Sequence, residues 1–251
     1  MNINKTFYYL KSLHTLIRNS KNVGSLLMAL FHKNNTLFLK NGLQFKYRSL
    51  LDTLIIKETI YDDFYQLHKI INPKIIVDVG AGFGDFSLFA AHAFPDATIY
   101  AFEPNPTLFE LLQGNIKSNG IRNIVAFSNA ISNKKNITLN FSSEPTQSSS
   151  STKVSSDYKI RVKGVSISSM LKKKNIDFLK IDCEGGEWDI IRFLSDTEKK
   201  NIDVISLEYH NMYVENVDEK IKKKLSSHFN VTIKPDSFTS DYGHLFAKNK
   251  D

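Results

Sequence analysis

Residues 75–85 read Ile75-Ile76-Val77-Asp78-Val79-Gly80-Ala81-Gly82-Phe83-Gly84-Asp85. The first five form a short, mostly β-branched apolar run, the pattern of a strand buried on both faces. Glycines at 80, 82 and 84 follow at once. Without side chains, that stretch of backbone can turn tightly and approach a ligand closely. The pattern predicts a helix from Phe86 to about Phe94, a strand at Thr98–Phe102, a helix at Asn105–Asn119 and a strand at Ile124–Phe127. Such alternation indicates βαβ units and a parallel sheet. It resumes with strand Phe178–Ile181, helix Glu187–Leu194, strand Val204–Tyr209 and helix Asp218–His228. Val231–Lys234 and Leu245–Lys248 read as closing strands, one of them antiparallel. Residues 133–164 interrupt the alternation: Ile137–Phe141 and Lys159–Lys163 suit an edge hairpin, and serine-rich 142–156 suits a surface loop.

The loop excludes some ligands. Dinucleotide binding needs Gly-x-Gly-x-x-Gly, and counting from Gly80 and Gly82 the third glycine would fall at 85, where Asp85 stands. A carboxylate there would repel a pyrophosphate. No Gly-Lys-Ser/Thr follows the glycines, which removes a P-loop. An acid in the strand, Asp78, suits a ligand with an ammonium group. Glu103 lies nineteen residues after Gly84, in Ala101-Phe102-Glu103-Pro104-Asn105. A carboxylate at that strand tip can accept both hydroxyls of a ribose. A ribonucleoside with an ammonium tail and no phosphate is S-adenosylmethionine. The expected contacts are Asp78, Gly80, Ala81, Gly82, Phe83 and Gly84 towards its methionine end, Glu103, Pro104 and Asn105 at the ribose, and Asn129 and Ala130 at the adenine. Asp182 is expected to touch the methionine end or the acceptor.

Upstream the chain changes character. Residues 1–74 hold eleven Lys/Arg and four Asp/Glu, whereas residues 75–251 hold twenty-two of each. The first acidic residue is Asp52. A helix is predicted over 5–32, a hairpin from Thr36–Leu39 and Leu43–Tyr47 about Asn41-Gly42, and a helix from Asp52, its cap, to Ile71. Residues 1–73 therefore read as a helical and hairpin cap, and 74–251 as the main domain. The basic leader could meet an anionic surface, a membrane included, though no apolar run approaches the roughly 20 residues of a span. Scattered basic residues without stacking aromatics argue against nucleic acid. The single Cys183 excludes a disulfide framework, and a cytoplasmic location follows as the expectation.

Methyl transfer requires alignment of acceptor and methyl, and a base if the acceptor is an alcohol. Asp182, Glu184 and Glu187 stand within six residues at the end of a core strand, around Gly185-Gly186. Crowded carboxylates raise one another's pKa, which suits a base; Glu187 could instead neutralise its helix N-terminus. Glu208 and His210 point the same way at the next strand tip, and His210 is the second candidate base. No spacing requires a metal ion, and none is assigned. Were Mg²⁺ to bind, Asp182, Glu184, Glu208 and His210 would gather around it.

Three blocks carry a family resemblance: residues 77–87 around the glycine loop, Ala101-Phe102-Glu103-Pro104-Asn105-Pro106, and Phe178-Leu179-Lys180-Ile181-Asp182-Cys183-Glu184-Gly185-Gly186-Glu187. The chain resembles the FkbM family of S-adenosylmethionine-dependent methyltransferases over about 75–210. The resemblance implies an α/β, class I methyltransferase (Rossmann-like) fold, a mostly parallel seven-stranded sheet with helices on both faces. It also implies O-methylation of a hydroxyl on a sugar, glycan or other natural product, so the expected partner is a small-molecule or glycan acceptor. Many members carry Asp before the helix that precedes the fourth core strand; Ser168 or Ser169 stands here and could cap that helix. A methyltransferase-like binding module and a nucleic-acid methyltransferase are the alternatives. Crowded carboxylates argue against the first. The lack of an Asn/Asp-Pro-Pro-Tyr/Phe segment after the fourth core strand argues against the second.

Overall fold

A computed structural model describes residues 3–28, 35–141, 148–149, 158–167, 169 and 174–250. The predicted core strands form at β3 (Ile75–Val79), β4 (Thr98–Phe102), β5 (Ile124–Phe127) and β10 (Phe178–Ile181), with β11 at Val204–His210. With β12 (Phe229–Pro235) and β13 (Tyr242–Asn249) they make a seven-stranded sheet of order β12-β13-β11-β10-β3-β4-β5. Every pairing from β11 through β5 is parallel, and β13 runs antiparallel to both its neighbours. The strand order reverses between β3 and β10, the place where open α/β sheets bind ligands beyond the strand ends.

Helices α4 (Asp85–Ala93), α5 (Pro106–Ser118), α6 (Glu187–Arg192), α7 (Asp196–Lys200) and α8 (Val217–Leu225) flank the sheet. Val77, Val79, Leu179, Ile181 and Leu207 pack against Ile190, Ile191, Ile221 and Leu225 on one face. Ile76, Ile99, Phe178 and Val204 pack against Phe86 and Ala90 of α4 on the other. Short α7 has a capping box in which Ser195 and Glu198 satisfy each other's backbone N–H groups; the pattern reading passed over it.

The interruption after β5 forms its own sheet of β6 (Ala130–Ile131), β7 (Asn136–Phe141), β8 (Ser148–Ser149) and β9 (Tyr158–Val165), in the order β6-β9-β7-β8. The expected β7–β9 pairing is present, but beside the main sheet and not on its edge. Most of the serine-rich stretch lies outside the described residues, as does Ser168. The N–H of Ser169 donates to the Ser166 hydroxyl at 3.2 Å, so Ser166 is the capping side chain there.

The cap departs most from expectation. The first helix breaks into α1 (Ile3–Asn19) and α2 (Val23–Met28). Between them Ser20 bridges Leu39, and Asn22 accepts from Phe38 N and donates to Thr36 O, which ties the break to the hairpin of β1 (Asn35–Phe38) and β2 (Gln44–Tyr47). Helix α3 spans Leu50–Ile60 and is capped by Ser49; Asp52 lies inside it and pairs with Arg48 at 2.9 Å. The helix stops well before Ile71. Asp63 and Gln66 take left-handed conformations, and the chain swings Tyr65 inward, where it is buried.

The core runs across the change in composition at residue 74: Leu16, Leu39, Phe45 and Ile56 of the cap pack with Ala81, Phe83, Leu88 and Leu112. Asn115 of α5 is fully buried, accepting from Lys46 N at 2.7 Å and donating to Lys46 O and Phe83 O at 3.1 and 2.9 Å. One side chain thus joins the hairpin edge to the glycine loop.

Candidate active site

The glycine loop lies over the sheet where β3 and β10 diverge. Gly80 N and Ala81 N both donate to Phe102 O at 3.0 Å, fixing the loop to the end of β4. Gly80 has φ +75°, and a Cβ there would sit 1.7 Å from the Asp182 carbonyl oxygen, so only glycine fits. Glu103 closes the far side: Oε2 accepts from Gly82 N and Oε1 from Asn105 N, each at 2.8 Å. Burial pushes the Glu103 carboxyl up to about 7, against the lowering effect of those two bonds. Asn105 also caps α5 through the N–H groups of Thr107 and Leu108.

Below the loop, one sheet face turns from apolar to polar towards the strand ends. Ile76 gives way to Asp78, Phe178 to Lys180, and Val204 to Ser206, Glu208 and His210. Lys180 pairs in register with Asp78 on the neighbouring strand. Its ammonium donates to Gly80 O at 2.7 Å, holds Asp78 Oδ1 at 3.0 Å as an ion pair and lies 4.0 Å from Asp182. Desolvation works against that charge, but Asp78, Asp182 and Asp85 outweigh it and hold the lysine well above its ordinary pKa. Asp78 is fully buried and also accepts from the Ser87 hydroxyl at 2.6 Å.

Tyr65 reaches into this face from the cap and donates its hydroxyl to Asp182 Oδ2 at 2.7 Å. Its backbone carbonyl accepts from the Ser206 hydroxyl at 2.8 Å, so His244 Nε2, 2.7 Å away, donates its proton to that hydroxyl's oxygen. Burial and the nearby Lys234 and Lys69 depress His244 to about 4 and keep it neutral.

At the strand tips, one ligand atom from each of Asp182, Glu208 and His210 lies within 4.8 Å of the others. Burial, then the Asp182 charge, raises Glu208 well above the ordinary carboxylate range. Burial, then Asp182, brings Glu184 to about 8. For His210, desolvation opposes the charge, but the 3.0 Å bond from Nδ1 to Glu187 and the charges of Glu187, Glu208 and Asp182 prevail, lifting it to about 10. Glu187 is fully buried and accepts from Gly185 N at 2.9 and 3.0 Å. It organises the turn and orients His210.

The structure gathers Asp182, Glu208 and His210 at one place, with Glu184 beside them on a left-handed residue. It sets Gly80, Gly82, Glu103 and Asn105 around the loop. Asn129 and Ala130 stand just beyond the end of β5. Other expected contacts are corrected. Phe83 turns into the core against the ring of Phe45, 6.5 Å away, because the hairpin packs there. A Cβ on Gly84 would meet Leu112 and Leu88 at 2.6 and 2.7 Å, so this glycine serves the packing of α4 on α5. Ala81 likewise belongs to the core and is buried as a whole residue. Asp78 is already neutralised from below by Lys180, which removes it as an open partner for an ammonium group. Glu187 has its oxygens engaged inside the turn, and His210 is a cation at neutral pH, so neither enters as a ready base. Lys180 and Tyr65 are the functional residues that pattern reading left out. The signal for Lys180 was a lone charge inside a buried strand; Tyr65 offered none.

The methyltransferase FkbM domain matches residues 78–228, more than half of the chain. Methyltransferase 1 of Beauveria bassiana (strain ARSEF 2860) is 26% identical over 179 residues, 61% of this chain and 72% of that protein. Methyltransferase sdnD of Sordaria araneosa is 38% identical over 65 residues, 26% of this chain and 25% of that one. Among solved structures, an rRNA methylase of Streptococcus thermophilus superposes with a TM-score of 0.52 at 11% identity, covering 76% of this chain and 95% of that one. A chain of the fibrillarin/Nop5p complex gives 0.50 at 11%, covering 77% and 82%. At such identity these two share the class I, Rossmann-like methyltransferase fold and nothing finer. A single match that runs across the glycine loop, the Glu103 turn and the carboxylate tips leaves one assignment: the chain belongs to the FkbM methyltransferase family.

Proposed function

We propose that the protein binds S-adenosylmethionine between the glycine loop and Glu103 and methylates a hydroxyl of a small-molecule or glycan acceptor at the Asp182–Glu208–His210 cluster. The observation carrying this reading is the Glu103 carboxylate, buried at the tip of β4 and bonded to the loop it faces. Each of its oxygens takes one backbone N–H and retains capacity for a ribose hydroxyl. The open space around Gly82 suits the amino-acid end of the cofactor, and the glycine at 80 lets the loop close onto the Asp182 backbone.

The cofactor would supply a methyl carbon on a sulfonium, open to in-line attack by the acceptor oxygen, with the sulfur leaving as a neutral thioether. The chain's part is to hold that oxygen and take its proton. Asp182 and Glu208, with carboxylate oxygens within 4.8 Å of each other, stand where that proton can be taken up. The His210 imidazolium, locked by Glu187, offsets the negative charge that grows on the acceptor oxygen. Tyr65 and Lys180 hold Asp182 in place.

A second reading, in which a divalent cation lowers the acceptor's pKa, rests on the same three residues, each of which offers a ligand atom once His210 gives up its proton. Incubation with methyl-labelled cofactor and fractionated glycans, lipids, metabolites and RNA, followed by mass spectrometry, tests both. Label on carbohydrate or small-molecule hydroxyls that persists in EDTA supports the first reading. Loss in EDTA with rescue by Mg²⁺ supports the second, and label on RNA rejects the acceptor class.

A further inference from the structure

Helix α1 is amphipathic twice over. Its inner face buries Ser12 and Leu16 against the cap. Its outer face leaves Phe7 70%, Leu10 61%, Leu13 43% and Ile17 43% exposed. At 3.6 residues per turn these four fall within an arc of about 120° that begins about 60° from Leu16 and also holds the exposed His14. Lys11 and Arg18, both exposed, stand together along one edge of that arc. Residues 1–51 carry eight Lys/Arg and no Asp/Glu.

We propose that this outer face docks the protein peripherally on an anionic lipid surface. An apolar stripe edged by cations matches a bilayer interface, where the side chains enter the acyl boundary and the cations meet lipid phosphates. The charge argues against an antiparallel second copy of the chain, because stripes apposed that way would bring Lys11 and Arg18 against their like. The stripe argues against nucleic acid, whose phosphate backbone offers nothing to Phe7 or Leu10. No helix among the described residues is long and apolar enough to cross a membrane, so the contact is on the surface. The proposal stands apart from the reading of the catalytic crevice.

The test is co-sedimentation of the full chain with phosphatidylcholine vesicles, with and without 30% phosphatidylglycerol. Binding at least tenfold stronger to the anionic vesicles is expected, falling severalfold when salt is raised from 0.1 to 1 M, where the Debye length shortens from about 10 to about 3 Å. Leu10→Ser with Leu13→Ser, and separately Lys11→Glu with Arg18→Glu, should each lower binding tenfold or more. Neither pair touches Ser12 or Leu16, so cofactor affinity should not move and the thermal midpoint should fall by only about a few degrees. Equal binding to both vesicle types, or to neither, overturns the proposal. So does a wild-type dimer in sedimentation velocity that Leu10→Ser/Leu13→Ser abolishes, or binding to duplex DNA without binding to vesicles. The wild-type lipid and salt comparison decides the matter even if a variant misfolds.

Discussion

Replacing Lys180 with Met keeps the volume and removes the charge. Asp78 would then keep only the Ser87 hydroxyl at 2.6 Å, and Gly80 O would lose its 2.7 Å donor. Because Asp78 is fully buried, stranding its charge should cost about 3–5 kcal/mol. For a chain of this size, that corresponds to a fall of about 6–20 °C in melting temperature. Asp78→Asn added to Lys180→Met removes the stranded charge, so the double variant should be at least about 1 kcal/mol more stable than Lys180→Met alone. Urea unfolding followed by circular dichroism at pH 7.5 reads both numbers. The folded-state pKa of Lys180 is raised, so its contribution is complete below the unfolded value near 10.4 and is lost only as pH climbs past it. The share of the penalty that comes from Lys180's own charge should therefore be constant between pH 6 and 9. A Lys180→Met protein within 1 kcal/mol of wild type, or a double variant no better than the single, would refute the claim that this pair supports the loop.

Cofactor affinity should tighten about tenfold from pH 6 to pH 8, because Glu103, raised to about 7, passes from about one-tenth to nine-tenths ionised and only the carboxylate accepts two hydroxyls. The same raised pKa makes its contribution to folding greatest in acid and diminishing from about pH 4.5 to 7; calorimetry giving a flat affinity profile, or Glu103→Gln leaving the profile unchanged, counts against the ribose placement. Glu103→Ala should weaken binding at least tenfold, on the order of one lost charge-assisted bond. Gly80→Ala should yield no folded, cofactor-competent protein, since both the φ of +75° and the 1.7 Å approach to Asp182 oppose it; a soluble variant with native melting behaviour contradicts the loop geometry. Tyr65→Phe removes one hydrogen bond to Asp182 and should cost under about 2 kcal/mol in stability, yet lower turnover at least fivefold with KM for the cofactor unchanged. Unaltered turnover would show that Tyr65 only packs.

The four core strands β3, β4, β5 and β10 begin and end where their residues predicted. β3, β4 and β10 are apolar runs buried almost throughout, which leaves little freedom, and the partly covered edge strand β5 is bracketed by Asn123 and Asn129. Glu103 was legible for a similar reason: its distance from the loop is set by one helix and one strand. What escaped depends on partners far away in the chain. Lys180 becomes interpretable only when β10 is known to lie beside β3, which brings it level with Asp78. Phe83 looks like a ligand contact until the hairpin, dozens of residues upstream, is packed against it. His210 carries an ordinary pKa in the sequence, and only the fold brings up Glu187 to hold it cationic. The cap misled most, because periodicity extends α3 to Ile71, whereas burial of Tyr65 against Phe86 and His244 ends it early.

That early ending has a practical consequence. A minimal catalytic fragment cut where the charge imbalance stops, just before Ile75, would keep the glycine loop, the Glu103 turn, the carboxylate tips and the whole seven-stranded sheet. It would also discard the phenol that roofs Asp182 and open the buried lysine beneath to water. Such a fragment would also lose Leu39, Phe45 and Ile56 from the shared core and is expected to be unstable as well as a poor enzyme, so shortened versions of this chain are unsafe stand-ins for the whole.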